Sequence, residues 1–222
     1  FRAPVPGDKQ VRIDLKRIVY LIVLLIFSSS WAGSYDDFFQ AVMRDDERTV
    51  ERLLAQGFDP NSRDPKGQTA MHLAMRDNSA RVAEALWQNR ALDVNALNAD
   101  DETPMMMAAL RGHTAWVQRF LDRGARVHKP GWSPIHYAAT GPRSETVALL
   151  LDRGAPLDAE SPNRSTPLMM AARYGSEASV DLLLARGADA KRKNDLGLTA
   201  VEFARQSGRD FLIARLQKAA QR

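Results

Sequence analysis

Imidazole and thioether are the reactive groups this chain offers in numbers that could make a site. Its four histidines are His72, His113, His128 and His136, and its eight methionines include a run at Met105, Met106 and Met107 and a pair at Met169 and Met170. Imidazoles spaced as H-E-x-x-H would bind zinc and activate water, whereas clustered thioethers suit a soft ion such as Cu(I). The first spacing is absent, as are G-x-S-x-G and G-x-x-x-x-G-K-[ST]. Zinc hydrolysis, serine acyl transfer and P-loop phosphate binding therefore have no motif behind them. The chain has no cysteine, which excludes disulfides, thiolate metal sites, a cysteine nucleophile and a lipoprotein anchor. Asn163, Arg164 and Ser165 match a glycosylation acceptor, a pattern too common by chance to carry a role.

Charge removes another class of function. Of 31 basic and 27 acidic residues, the first 32 positions hold Arg2, Lys9, Arg12, Lys16 and Arg17 against Asp8 and Asp14, which leaves 26 basic and 25 acidic side chains for the rest. No overall basic field draws a polyanion to that part, so no nucleic-acid partner is expected. With 45% hydrophobic and 26% charged residues in 222, there is enough apolar material for one or two globular domains.

The elements that must hold these side chains recur. Thr69, Thr103, Ser133, Thr166 and Thr199 anchor segments at intervals of 34, 30, 33 and 33 residues. The segments read T-A-M-H-L-A-M, T-P-M-M-M-A-A, S-P-I-H-Y-A-A, T-P-L-M-M-A-A and T-A-V-E-F-A-R. A second recurrence of the type L-L-D-R-G-A ends near Gly57, Ala125, Ala155 and Ala188. Threonine or serine caps a helix through its hydroxyl, and Pro104, Pro134 and Pro167 fit the first turn, where no N–H is needed. Paired alanines such as Ala108 with Ala109 and Ala171 with Ala172 let neighbouring helices approach closely. Gly112, Gly175 and Gly208, with Asn78 in another copy, fall where a first helix must end in a left-handed residue. Proline cannot do so, and at Pro142 the turn is expected one residue early, at Gly141.

This pattern resembles the ankyrin repeat, T-P-L-H-x-A near the start and L-L-x-x-G-A near the end of about 33 residues, and the likeness runs from Asp36 to the C-terminus. The resemblance implies an all-α solenoid of about six helix-turn-helix units, near 34–68, 69–102, 103–132, 133–165, 166–198 and 199–222, joined by projecting β-hairpin loops. Ser34 to Arg44 reads as an N-terminal cap with Phe38 and Phe39 inward. At the other end Val201, Phe203, Phe211, Leu212 and Leu216 form an apolar face that Arg205, Arg209, Arg215 and Lys218 cover. The loop at 125–132 is three residues short, and an insertion at Asn89 to Leu92 is expected to lengthen or bulge the helix before it. His72 and His136 occupy the motif's histidine position, where imidazole bonds neighbouring backbone and needs no ligand. The clustered methionines fall at core positions of first helices. Hairpin charges alternate in sign from Asp100, Asp101 and Glu102 to Arg126 and Lys129, then Asp158 and Glu160, then Lys191, Arg192 and Lys193, which reads as mutual support between loops.

What the resemblance implies for function is a non-catalytic scaffold that binds a protein with its hairpin tips and first helices, without cofactor or metal. By register the contact positions are Arg63, Lys66, Gln68, Arg76 and Asp77, then Asp100, Glu102, Leu110 and Arg111, then His128, Trp132, Glu160, Asn163, Arg173 and Tyr174. Trp132 stands where other copies carry Gln68, Glu102, Ser165 and Leu198, which makes it the expected hot spot. An accessory role in oxidative-stress defence and a methionine-based metal-handling role are the alternatives.

The N-terminal region reads as an export signal. Lys9, Arg12, Lys16 and Arg17 precede the apolar run Ile18 to Phe27, and Ser30 and Ala32 supply small residues at a cleavage site. A run of 10 is short against the roughly 20 of a spanning helix. Residues 1–32 are therefore expected to be a signal peptide, with residues 1–10 an over-extended start, and 33–222 the repeat domain. The other reading is an uncleaved anchor with Trp31 at the interface. Either places a monomeric domain in the periplasm, with membrane contact only through an uncleaved leader.

Overall fold

A computed structural model describes residues 33–221, and the leader with its cleavage site lies outside the described residues. Helices alternate in two rows. The first row is α1 (residues 33–43), α3 (Ala70–Asp77), α5 (Pro104–Arg111), α7 (Pro134–Thr140), α9 (Pro167–Arg173) and α11 (Ala200–Gln206). The second row is α2 (Glu47–Ala55), α4 (Ala80–Gln88), α6 (Thr114–Asp122), α8 (Ser144–Asp152), α10 (Glu177–Ala185) and α12 (Ile213–Ala220), the last entered through a 3-10 turn at Asp210–Leu212. Successive first-row helices pack on one another from α3 to α11, each also against the second helix that follows it in the chain. The all-α solenoid of about six helix pairs is thus what the chain builds.

Helices this short draw their stability from packing, because seven to nine residues cannot pay back nucleation alone. The packing is tight. Ala108, Ala109, Ala138, Ala139, Ala171 and Ala172 are fully buried, and Phe38, Phe120, Ile135, Leu150, Leu168 and Leu183 fill the space between the rows. Two glycines serve this approach, contrary to the left-handed role read from sequence. Gly141 is extended, with φ −74° and ψ 173°, and a Cβ there would sit 2.8 Å from both the Ala109 and Leu110 carbonyls. Gly175 has no positive φ either, and its Cβ would lie 2.0 Å from the Ala139 carbonyl oxygen. Asn78 and Gly112 do take the left-handed turn, at φ 60° and 71°.

The insertion at Asn89 to Leu92 does not lengthen α4, which has nine residues like α2, α6, α8 and α10. The extra residues form a turn closed by Leu92 N–H to Asn89 O at 3.2 Å. The Arg123 guanidinium holds the helix end through the Trp87 and Asn89 carbonyls, at 2.6 and 2.8 Å.

Five loops join the pairs: loop 1 (58–68), loop 2 (89–102), loop 3 (125–132), loop 4 (155–165) and loop 5 (188–198). Four close their tips alike, with backbone bonds from Asp64 to Gln68, Asn98 to Glu102, Ser161 to Ser165 and Asn194 to Leu198 at 2.8–3.0 Å. The hairpins are turns more than ladders, since the one β-bridge among the described residues joins Arg63 and Thr69. Loop 3, too short for the shared tip, lacks that bond.

At the N-terminal end Phe38 and Phe39 point inward, with the Tyr35 ring tilted against Phe39 at 5.0 Å between centroids. At the other end Val201, Phe203, Leu212 and Leu216 are buried, but Phe211 is 56% exposed. The 3-10 turn directs its ring outward, 5.5 Å from the Arg209 guanidinium. Arg209 in turn donates to the Ala171 and Ala172 carbonyls at the end of α9. No helix among the described residues is long and apolar enough to cross a membrane.

Candidate interaction surface

His72, His136 and most of the methionines have structural work. Three residues after each helix cap, a side chain accepts the cap residue's own N–H: His72 and His136 through Nδ1 at 3.3 Å, Met106 and Met169 through sulfur at 3.3 and 3.4 Å, and Glu202 through Oε2 at 2.9 Å. With Nδ1 accepting, Nε2–H donates, from His72 to Glu102 O at 2.9 Å and from His136 to Ala159 O and Ser165 O at 3.0 and 3.2 Å. Burial pushes both imidazoles below their ordinary pKa, the neutral form this geometry requires. Met71, Met75, Met105, Met106, Met107 and Met169 are buried core residues, so six of the eight sulfurs face protein.

The first-row helices present one face to solvent, and their register lays residues out as a grid. Across it run Gln68, Glu102, Trp132 and Leu198 at the loop bases, where Ser165 is buried instead, and Arg76, Leu110, Thr140, Arg173 and Gln206 near the helix ends. In the first column Arg76 binds both oxygens of Asp77, at 2.8 and 2.7 Å, and reaches Gln68 Oε1 at 2.8 Å. That guanidinium holds the Asp77 carboxyl below the usual carboxylate range. Arg63 is spent within the loops, donating to Gly67 O and Leu97 O, while Lys66 is exposed at the tip.

The second column sets Leu110 beside charged groups. Glu102 is half-buried, its Oε1 accepting from the Tyr137 hydroxyl at 2.6 Å and its Oε2 from Asn98 at 2.8 Å. Burial and this carboxylate push the Tyr137 phenol far above its ordinary pKa, so it stays a donor. Asp100 is exposed, and Arg111 donates from Nε to Arg76 O at 2.7 Å.

In the next columns Trp132 is half-buried against the core and stands edge-on to His136, centroids 5.4 Å apart. His128 is exposed nearby. Glu160 pairs with Arg192 at 2.5 Å and Arg164 at 3.6 Å, and Asn163 accepts from Ser161 Oγ. Arg173 lies over the rings of Tyr174 and Phe203, at 5.1 and 5.9 Å, and Tyr174 is 56% exposed.

Of the fifteen contact positions read from sequence, the structure brings Leu110 and Trp132 together around a single feature. Leu110, Trp132, His136, Tyr137, Thr140 and Met170 line an open, chiefly apolar hollow of about 250 Å³ between α5, α7 and α9. Arg111 and Arg173 adjoin it in sequence, whereas Arg63, Glu160 and Asn163 are engaged in loop-to-loop or local bonds. Tyr137, Thr140 and Met170 were not anticipated. The available signal was a tyrosine hydroxyl at a position that carries Met107 and Met170 in neighbouring copies. Among the described residues the alternating hairpin charges support one another at two junctions, through Lys129 with Asp101 and Arg192 with Glu160, but not between Arg126 or Lys129 and Asp158 or Glu160.

A family model described as ankyrin repeats (3 copies) matches residues 38–130 and 117–194. Among curated proteins, neurogenic locus notch homolog protein 1 is 33% identical over 125 residues in Xenopus tropicalis and 32% over 125 in Homo sapiens, 55% of this chain in each case. A transient receptor potential cation channel subfamily A member 1 homolog of Caenorhabditis elegans is 29% identical over 139 residues, 61% of this chain. The matched segments are 5% of the notch proteins and 11% of the channel homolog. With its repeat motifs in register along stacked helix pairs and the family model spanning most of its length, the chain belongs to the ankyrin repeat family.

Proposed function

We propose that this protein is a non-catalytic scaffold that binds a partner protein through the exposed face of its first-row helices, in the cell envelope. The hollow at Leu110, Trp132, Tyr137 and Met170 is the observation that carries the reading. An apolar concavity walled by aromatic side chains is where interface energy concentrates, because such groups bury large areas at low entropic cost. Membership of a family of generic protein-interaction modules supports it. Envelope location rests on the basic and apolar character of the first 32 residues.

A photo-crosslinking amino acid placed at Leu110 or Tyr174 should capture a discrete partner in cells, and the same group at Glu145 or Ala178, exposed on second-row helices, should not. Equal capture from both rows, or none from the first, would refute the reading. Intact mass of the cellular protein tests export separately: a species beginning at Gly33 outside the cytoplasm is expected, and one retaining Ile18 to Phe27 in the membrane sinks cleavage.

A further inference from the structure

We infer that the hollow between α5, α7 and α9 receives one large apolar side chain from an extended, acidic segment of the partner. This rests on the first-row face being the binding surface. Size comes first. At about 250 Å³ the hollow is smaller than the roughly 300–1,000 Å³ of sites that enclose small-molecule ligands, and an α-helix about 10 Å across cannot enter it. A single anchor side chain on an extended backbone fits.

Access comes from the loops. Loop 1 is tied to loop 2 through Asn61 with Ala91 O and Asp93 N, and loop 2 to loop 3 and the residue before it through Asn95 with Arg126 N and Gly124 O. Loop 4 is tied to loop 5 through Asp158 with Asp189 N and Asn163 O with Asp195 N. Among the described residues no hydrogen bond joins loop 3 to loop 4. The ladder is interrupted where Trp132, the last residue of loop 3, forms one wall of the hollow.

Charge selects the segment. Arg111 follows Leu110 on α5, and Arg173 lies one turn beyond Met170 on α9, so both helices carry an arginine within a turn of a hollow-lining residue, with Arg111 reaching to Arg76 O on α3 and Arg173 toward Phe203 and Gln206 on α11. Neither has an ion pair among the described residues. Arg111 uses only Nε, on Arg76 O, and Arg173 has a long 3.5 Å bond to Gln206. The nearby carboxylate Asp77 already has both oxygens bound by Arg76. On the loop side Asp101 is paired with Lys129, but among the described residues Glu102, bound only by the neutral Tyr137 hydroxyl and Asn98 amide, and Asp100, which has no ion pair, both keep their negative charge. Carboxylates of a bound segment are therefore favoured beside Arg111 and Arg173 and disfavoured at the loop end.

The test uses the full chain with labelled methionine methyls and three capped peptides of one length: phenylalanine flanked by glutamates, phenylalanine flanked by lysines, and alanine flanked by glutamates. The first should shift the Met170 methyl resonance and bind about tenfold or more tighter than either other peptide. Exchanging both arginines, Arg111→Glu with Arg173→Glu, should reverse the preference toward the lysine peptide at unchanged helical content. Equal or tighter binding of the lysine peptide to the unaltered protein overturns the inference, as does binding of the first peptide without a Met170 shift, or no binding at all. The two readings separate on the crosslinked partner. Capture from Leu110 of a basic segment, or of one lacking a large apolar residue, removes this inference and leaves the scaffold function standing.

Discussion

At the residue scale, one position shows how different chemistries satisfy the same backbone donor. The cap residue's N–H is met by imidazole at His72 and His136, by thioether at Met106 and Met169 and by carboxylate at Glu202. Imidazole alone also donates, so His136 holds the end of loop 4 as well as its own helix cap. Because burial lowers the folded pKa of His72 and His136 below the ordinary 6.5, the unfolded chain takes up protons first as pH falls. Stability should therefore be complete above the unfolded value and decline as pH drops below about 6.5 toward the folded values. His136→Met, the residue two sister copies use, should cost about 1 kcal/mol at neutral pH for the lost Nε2–H bond and flatten part of this dependence. Melting temperatures at pH 8 and 5 decide it, an unaltered slope in the variant counting against the assignment. Trp132 has a second identity at this scale, being both packed on the core and a wall of the hollow. Trp132→Ala should lower the melting temperature by several degrees, through roughly 1–2 kcal/mol of lost burial, and also weaken partner binding about tenfold. Lost stability with retained binding would leave it a packing residue only.

At the element scale, closeness between first-row helices is what the small residues provide. Gly175 makes the point with one contact, since any Cβ there overlaps the Ala139 carbonyl of the neighbouring unit. Gly175→Ala should destabilise by about 1–3 kcal/mol as α7 and α9 are forced apart, read as a lower urea midpoint. An unchanged midpoint would mean the stack yields more easily than its geometry suggests. The second row is tied differently, by arginines reaching back one unit: Arg81 to Asp45 and Glu47, Arg119 to Glu84, Arg153 to Asp122, Arg186 to Asp152, and Arg215 to Asp181 and Glu177. These pairs are largely exposed and each is worth less than about 1 kcal/mol, so they set register more than stability. Trp87, Trp116 and Phe120 add an aromatic cluster beneath the Arg119 guanidinium, which lies 3.9 Å from the Trp116 ring centre. Helix caps and core faces were legible in sequence because they depend on residues three or four apart. The role of Gly141 and Gly175 was not, because it depends on a carbonyl more than 30 residues away.

At the scale of the whole molecule, a linear stack is stable only if both ends are covered, and here the covers differ in kind: aromatic at Phe38 and Phe39, aliphatic at Leu212 and Leu216. Deleting Thr199 to Arg222 should expose the apolar sides of α9 and α10 and cause aggregation or loss of cooperative unfolding. A truncated protein that melts like the full chain would show that the last unit is dispensable. The sequence by itself determined the repeat, its period, the helix caps and the buried alanines and methionines, since each follows from local spacing that every copy restates. It also marked Leu110 and Trp132 as contact positions, and loop 3 as short. Only the tertiary structure decided that these converge with Tyr137, Thr140 and Met170 on one hollow, that Phe211 faces solvent, and that the loop ladder breaks between loops 3 and 4. Those outcomes depend on how adjacent units sit on one another, a geometry set by summed packing across units that no single copy's pattern contains.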